Sequence, residues 1–210
     1  MNGADFAALI QALNAAMAAA KAELNALDSA LGDGDHGEAL AAAFAEADEK
    51  ARALDKPTPT SVLQVTAQAL LNRMGGASGA LYGTLFLRMS SAFKDRDDVT
   101  CSDWSAALDA GLAGVQARGK ASPGDKTMVD ALAPAVDAFK AGADLAAGFA
   151  AARAAAAAGA AQTERMVAKF GRAKFAGERA IGHVDAGARS MALVFETLDE
   201  YWKGREHGET

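Results

Sequence analysis

A chain of 210 residues can bury one sizeable core, and with aromatics at only 6% beside abundant alanine its composition favours closely packed helices over strands; the expectation is a single all-α domain over residues 1–210, although the length would also permit two small ones. A formal net charge of -6 and a pI near 5.1 exclude a nucleic-acid backbone as the natural partner, because that demands a basic face. The lone Cys101 excludes an internal disulfide, the start MNGADFAALI lacks the pattern of a secretory signal, and the most lipid-like stretch, AGADLAAGFAAARAAAAAGAA, carries Asp144 and Arg153; the expectation is a cytoplasmic protein with no membrane partner.

Taken in chain order, Phe6, Ile10, Leu13, Met17, Leu24 and Leu27 recur at steps of three, four or seven, which predicts one long helix running to about Asp28. Helices are expected next at Glu38 to Leu54, Ser61 to Arg73 and Ser78 to Phe93. KPTPT and DRDDVTCS read as loops, with Thr60 and Asp103 as helix caps. Trp104, Leu108, Leu112 and Val115 mark a further helical face, and Val129, Leu132, Val136 and Phe139 another. A helix over Asp144 to Phe170 follows, and Met191, Val194, Leu198 and Tyr201 mark the last. No segment alternates with period two for long, so no strand is expected.

Between these plain helices, glycine, hydroxyl and charged residues concentrate in four places: LGDGDHG (31–37), GGASG (75–79), RGKASPGDKT (118–127) and GRAKFAGERAIGHVDAGA (171–188). Helix-to-helix turns do not need this chemistry, so the clustering predicts a site assembled from several helix ends. LDSALGDGDHG gathers Asp28, Asp33 and Asp35, with Gly32, Gly34 and Gly37 freeing the backbone to turn them inward. Three carboxylates in one turn repel by about 3 kcal/mol per pair at ~5 Å and an effective dielectric of ~20. A hard cation reverses that sign, and magnesium, which shares its shell with phosphate oxygens, suits the trio. The plainer reading is a set of solvated turn residues. Two formal matches fail: a long helix stands where a dinucleotide fold requires a strand before G-x-G-x-x-G, and Phe44 stands where a calcium loop needs its closing glutamate.

GGASGALYG sets a flexible backbone before a helix start that Ser78 is expected to cap, a natural anion site. In RGKASPGDKT, Gly119 permits close approach of a flat ligand, Asp125 is expected to cap the next helix, and Met128 either packs on an adenine ring or is a core methionine. The fourth segment offers Arg172, Lys174, Arg179, His183 and Asp185; arginine there suits phosphate oxygens, whereas Lys174 and Glu178 read as solvated loop residues.

In this order the four motifs resemble the L subunit or L domain of dihydroxyacetone kinases, over essentially the whole chain. The resemblance implies a barrel of about eight antiparallel helices with the nucleotide site at one end, formed by the interhelical loops. It implies two Mg2+ ions on Asp28, Asp33 and Asp35 bridging the phosphates of ADP or ATP, with His36, Gly37, Ala77 and Ser78 along the phosphates. Gly119 and Met128 would hold the adenine and ribose side, and Arg172, Asp185 and Gly187 would close the site. A separate K subunit would hold the ketose. The donor would be either free ATP or a phosphoprotein that recharges a retained ADP, and Ala39, where phosphoprotein-dependent members carry asparagine, favours free ATP. Asp185-Ala186-Gly187 replaces the Asp-Pro-Gly of many members. A regulatory subunit that binds nucleotide without catalysing transfer is one competing class, and a homologue repurposed for a different kinase substrate is another.

Overall fold

A computed structural model describes residues 1–206 and Gly208; His207, Glu209 and Thr210, at the end of the expected 1–210 domain, lie outside the described residues. Among the described residues every regular element is helical: α1 Gly3–Ser29, α2 His36–Arg52, α3 Pro59–Arg73, α4 Gly76–Ala92, α5 Cys101–Gly119, α6 Val129–Ala141, α7 Leu145–Gln162 and α8 Ala186–Glu206, with short 3-10 segments at Thr163–Arg165 and Arg172–Ala180. The all-α expectation and all eight anticipated helices are therefore found.

Residues group into two compact units. One comprises Met1–Ala18 with Ala39–Lys120 and the other Ala19–Glu38 with Ala121–Thr210. In the first, α4 packs on both α3 and α5. Its centre is a ring cluster in which Phe6 stacks on Trp104 (5.4 Å, 10° between planes) and Phe93 meets both edge-on. Truncating one such ring costs about 3–5 kcal/mol. In the second unit α7 packs on α6 and α8. The alanine richness of α7 finds its reason here, because its buried positions are Gly148, Ala152, Ala156, Gly159 and Ala160 beside the single ring Phe149. At Gly159 a Cβ would collide with the carbonyl of Asp130, so the two backbones approach as closely as glycine allows.

The buried faces follow the periodicity: Phe6, Ile10, Leu13, Met17 and Leu24 of α1 are enclosed, as are all four marker residues of α6 and of α8. By length and mean hydropathy (1.2) α1, rather than the alanine-rich α7, is apolar enough to cross a membrane, and a core helix passes the same test.

Several helix ends differ from expectation. α3 is capped by Thr58, not Thr60; Thr58 accepts from the Ser61 amide and Ser61 returns a bond, while Thr60 donates to the Phe93 carbonyl at 2.9 Å. α5 is capped by Thr100, with Asp103 as the reciprocal third-residue partner. Ser78 is not a cap either: α4 starts at Gly76 after Gly75, whose missing side chain can make no capping bond. Finally α7 stops at Gln162, not near Phe170, because Thr163 is bonded outward; its carbonyl accepts from Lys126 and its hydroxyl from the Asp185 amide.

Candidate metal and phosphate site

The acidic trio lies in the second unit, in the connection from α1 to α2. One oxygen from each of Asp28, Asp33 and Asp35 falls within 4.8 Å of the others. Asp28 has two tasks. Its Oδ2 accepts from the amides of Gly34 (2.9 Å), Asp35 (3.1 Å) and, more weakly, His36 (3.4 Å), so one carboxylate oxygen fixes the loop and caps the start of α2. Its Oδ1 lies against Gly32, where a Cβ would overlap it. Glycine at position 32 keeps that second oxygen clear. Gly37 has a different reason: a Cβ there would strike the Lys21 carbonyl of α1, so only glycine lets α2 start this close to α1. Asn25 of α1 accepts from the Glu38 amide at 3.0 Å and completes the junction.

Asp33 and Asp35 are exposed and Asp28 half-buried. Water around them brings the mutual repulsion nearer to about 1 kcal/mol per pair than the figure for a dielectric of ~20. Hard anionic oxygens at this spacing, with one oxygen of the trio already committed to orienting the loop, fit a small divalent cation that keeps waters and phosphate oxygens in its shell.

Arg172 forms an ion pair with Asp33 through Nη1. The structure thus brings the arginine of the fourth segment to the acidic trio of the first. His36 is buried, 8% exposed, and its Nε2 lies 2.8 Å from Ser190 Oγ on α8. Burial pushes the imidazole below its ordinary range, and the nearby Asp28 charge offsets this in part. The His36 ring is thus turned to Ser190, and its main-chain N–H to Asp28 Oδ2.

Asp185 proves to be the N-terminal cap of α8. Its Oδ2 accepts from the Ala188 amide at 2.8 Å and its own amide donates to Thr163 Oγ1 at 2.9 Å. Burial pushes its carboxyl up to about 6, against the pull of the Ala188 amide and the Lys126 charge. Gly187 lies beside Met128, whose main-chain nitrogen would be 3.6 Å from a Cβ at that position. Met128 itself, 4% exposed, immediately precedes α6, which favours its reading as a core methionine. Asp125 does not cap α6: it accepts from the Ser122 amide (2.7 Å) and Lys169 (2.7 Å), which hold it below the usual carboxylate range, while Asp130 takes the Gly124 and Thr127 amides.

The remaining candidates belong to the first unit. Ala77 is exposed and Ser78 half-buried in the opening turn of α4, with Gly76 in a left-handed conformation (φ 65°) before them. Gly119 ends α5, and a Cβ there would sit 3.0 Å from Leu81, so its tight approach is to that leucine.

Sequence reasoning passed over three residues that organise the second unit: Lys126, Thr163 and Ser190. Lys126 is buried, 1% exposed, and donates to the carbonyls of Thr163 (2.6 Å), Ala180 (2.8 Å) and His183 (2.5 Å). No local pattern announces a buried lysine; the one hint was its position inside the third motif, RGKASPGDKT (118–127).

Residues 30–200 match the family model of the DAK2 domain. The chain is 36% identical over 208 residues to the Listeria innocua PEP-dependent dihydroxyacetone kinase 2, ADP-binding subunit DhaL, covering 97% of this chain and 96% of that protein. It is 37% identical over 179 residues to the ADP-binding subunit DhaL of the Escherichia coli K12 PEP-dependent dihydroxyacetone kinase, covering 83% and 85% of the two. The crystal structure of the dihydroxyacetone kinase from C. freundii in complex with AMP-PNP and Mg2+ superposes with a TM-score of 0.77 at 31% identity, over 95% of this chain and 34% of that one, so the chain spans about a third of that larger kinase. With a family model matched over most of its length and relatives of its own size above 30% identity, this chain belongs to the DAK2-domain family.

Proposed function

We propose that this chain is the nucleotide-carrying L-type subunit of a cytoplasmic dihydroxyacetone or short-ketose kinase, with residues 1–210 acting as one nucleotide-binding domain. The observation that carries the reading is the acidic trio, whose three donor oxygens lie within 4.8 Å of one another with an arginine already at their edge. Asp28, Asp33 and Asp35 hold Mg2+, two ions in this reading, and the metal supplies charge neutralisation to the phosphates of ADP or ATP. His36, Gly37, Ala77 and Ser78 line those phosphates with backbone N–H groups and a hydroxyl. Gly119 and Met128 bound the adenine and ribose side, and Arg172, Asp185 and Gly187 close over the nucleotide. The chain's contribution to transfer is alignment and electrostatic stabilisation, and the acceptor hydroxyl is presented by a separate K-type subunit.

Calorimetric titration with Mg-ADP, with and without EDTA, tests the binding reading; equal affinity in EDTA would sink it. Ketose phosphorylation with and without a K subunit tests the division of labour, and robust turnover by the pure chain would contradict it. A chain that binds Mg-nucleotide yet supports no transfer with any K subunit would be a regulatory subunit instead.

Two donor modes remain in play. Ala39 favours exchange of free ATP, since it places no amide beside the start of α2, and the C. freundii kinase was captured with an ATP analogue. The second mode, a retained ADP recharged by a phosphoprotein, is favoured by the relatives of equal length, both named ADP-binding subunits of PEP-dependent kinases. Purification without added nucleotide, followed by denaturation and quantification of what is released, separates them. Stoichiometric ADP together with no ATP-driven activity would establish the second.

A further inference from the structure

The excursion between α7 and α8 carries Arg172 but has little to hold it in place. Gly171 (φ 64°) and Gly177 (φ 57°) are left-handed, Phe175 at its tip is 78% exposed, and the 3-10 segment Arg172–Ala180 buries only Ala180. What fixes it is its neck. There Lys126 reaches across with a single ammonium to carbonyls on both arms, Thr163 on the outgoing side and Ala180 and His183 on the returning side. Two further bonds tie the same arms, Gly182 amide to Glu164 carbonyl (2.8 Å) and Asp185 amide to Thr163 hydroxyl (2.9 Å). Lys169 links the outgoing arm back to the turn before Lys126, through its amide to the Asp125 carbonyl (3.2 Å) and through Nζ to the Asp125 carboxylate (2.7 Å).

We propose that Lys126 is a positioning residue for nucleotide closure: by clamping the neck of the 166–181 excursion it sets where Arg172 stands over the acidic trio and how Asp185 starts α8. This rests on the reading of Asp28, Asp33, Asp35 and Arg172 as the Mg-nucleotide site. Filling the space alone would be met by a hydrophobic side chain. A lysine is needed because three carbonyls from two arms converge on one point, and only a three-donor group satisfies all of them. Lys126 adopts φ 59°, a left-handed conformation rare for a residue with a side chain, which aims that side chain at the neck. Burial lowers the ammonium's proton affinity while Asp185, Glu164 and Asp130 support its charge.

The experiment is a double-mutant cycle on Lys126→Met and Arg172→Ala, with two titrations on each protein. Mn2+ alone, counted by electron paramagnetic resonance as a stand-in for Mg2+, reports the trio. Mg-ADP by calorimetry reports closure. Lys126→Met should leave Mn2+ affinity no lower than that of its parent, and up to a few-fold higher as the displaced Arg172 releases Asp33, while weakening Mg-ADP by ~10- to 100-fold, the usual loss when support of a ligand-holding group is removed. Adding Arg172→Ala to Lys126→Met should then cost far less than it does in the wild type, because the arginine is already misplaced. Additive losses, an unchanged Mg-ADP affinity, or a fall in Mn2+ affinity as large as that for Mg-ADP would each overturn the proposal. If Lys126→Met does not fold, as judged by far-UV circular dichroism, Lys126→Gln keeps two donors and is put through the same cycle with the same outcomes decisive. Failure of the wild type to bind Mg-ADP at all would instead overturn the functional reading on which the proposal stands.

Discussion

Asp28 is expected to separate its two tasks under substitution. Its Oδ2 receives three amides, while its Oδ1 lies against Gly32 and is the oxygen left for a metal. Asparagine can turn its carbonyl to the amides and leave its NH2 towards the metal position, so Asp28→Asn keeps the cap and loses the ligand. Alanine loses both. Without metal, the neutral cap of Asp28→Asn gives up roughly half the strength of a charge-assisted one, on the order of 1 kcal/mol, and relief from two repelling carboxylates returns about 1–2 kcal/mol. Its stability in EDTA should match the wild type to within about 1 kcal/mol. Asp28→Ala should sit a further ~1–2 kcal/mol lower, the usual cost of removing a side-chain cap, or about 2–8 °C in Tm for a chain of this size. Thermal and guanidinium unfolding in EDTA, followed by circular dichroism, measure the difference, and calorimetry with Mg-ADP measures the ligand. Both variants should lose most of the Mg-ADP affinity. Equal destabilisation by the two would refute the cap, and near-normal Mg-ADP affinity in Asp28→Asn would refute the ligand.

Other perturbations separate metal from closure. Asp33→Asn and Asp35→Asn should abolish measurable Mg-ADP binding while leaving the far-UV spectrum unchanged, since neither side chain supports a helix. Arg172→Ala should raise affinity for Mn2+ alone by a few-fold, because the guanidinium no longer competes for Asp33, yet lower affinity for Mg-ADP; shifts of the same sign in both titrations would contradict the swap. Asp185, pushed up from 3.8 to about 6, binds its proton more tightly folded than unfolded, so its contribution is present at low pH and is lost as pH rises through that window. The wild type should lose up to about 3 kcal/mol from this group between pH 4 and 6. Asp185→Asn, which keeps an acceptor for α8, should lack that slope in urea midpoints taken across the range.

Much of this was legible in the chain itself. The eight helices could be read because each buries one stripe, and the stripe is written at steps of three and four whatever its neighbours are. The acidic trio was equally legible, since carboxylates that close in sequence have nowhere else to go. The caps were not: Thr58 and Thr60, or Thr100 and Asp103, are alternatives of nearly equal local merit, and the choice fell to whichever amide lay free and to distant acceptors such as the Phe93 carbonyl. The end of α7 failed for the same reason. Nothing near Thr163 breaks a helix; the break comes from Lys126, 37 positions earlier, and from Asp185, 22 positions later.

That last case bears on how the site is built. Ligand-bearing residues of the first motif are set by local chemistry, one carboxylate oxygen and a few glycines, and should survive transplantation of the α1–α2 connection. The segment that carries Arg172 and Asp185 is held by long-range bonds, from Lys126 to the Thr163, Ala180 and His183 carbonyls and from the Asp185 amide to Thr163 Oγ1, so their placement depends on the integrity of the whole second unit. On the proposed reading, the site combines a locally fixed metal-holding half with a half whose closure depends on how well its neck is clamped. Substitutions far from the trio, around Thr163, Ala180 and Lys126, should then tune nucleotide exchange without touching the metal ligands. In the donor question this matters directly: a tighter neck favours a retained ADP and a looser one favours exchange of ATP. Comparing the dissociation rate of Mg-ADP in the wild type with that in Thr163→Val, which cuts one neck bond and spares the lysine, measures that control; an unchanged rate would place the determinant of exchange elsewhere, beside Ala39 at the start of α2.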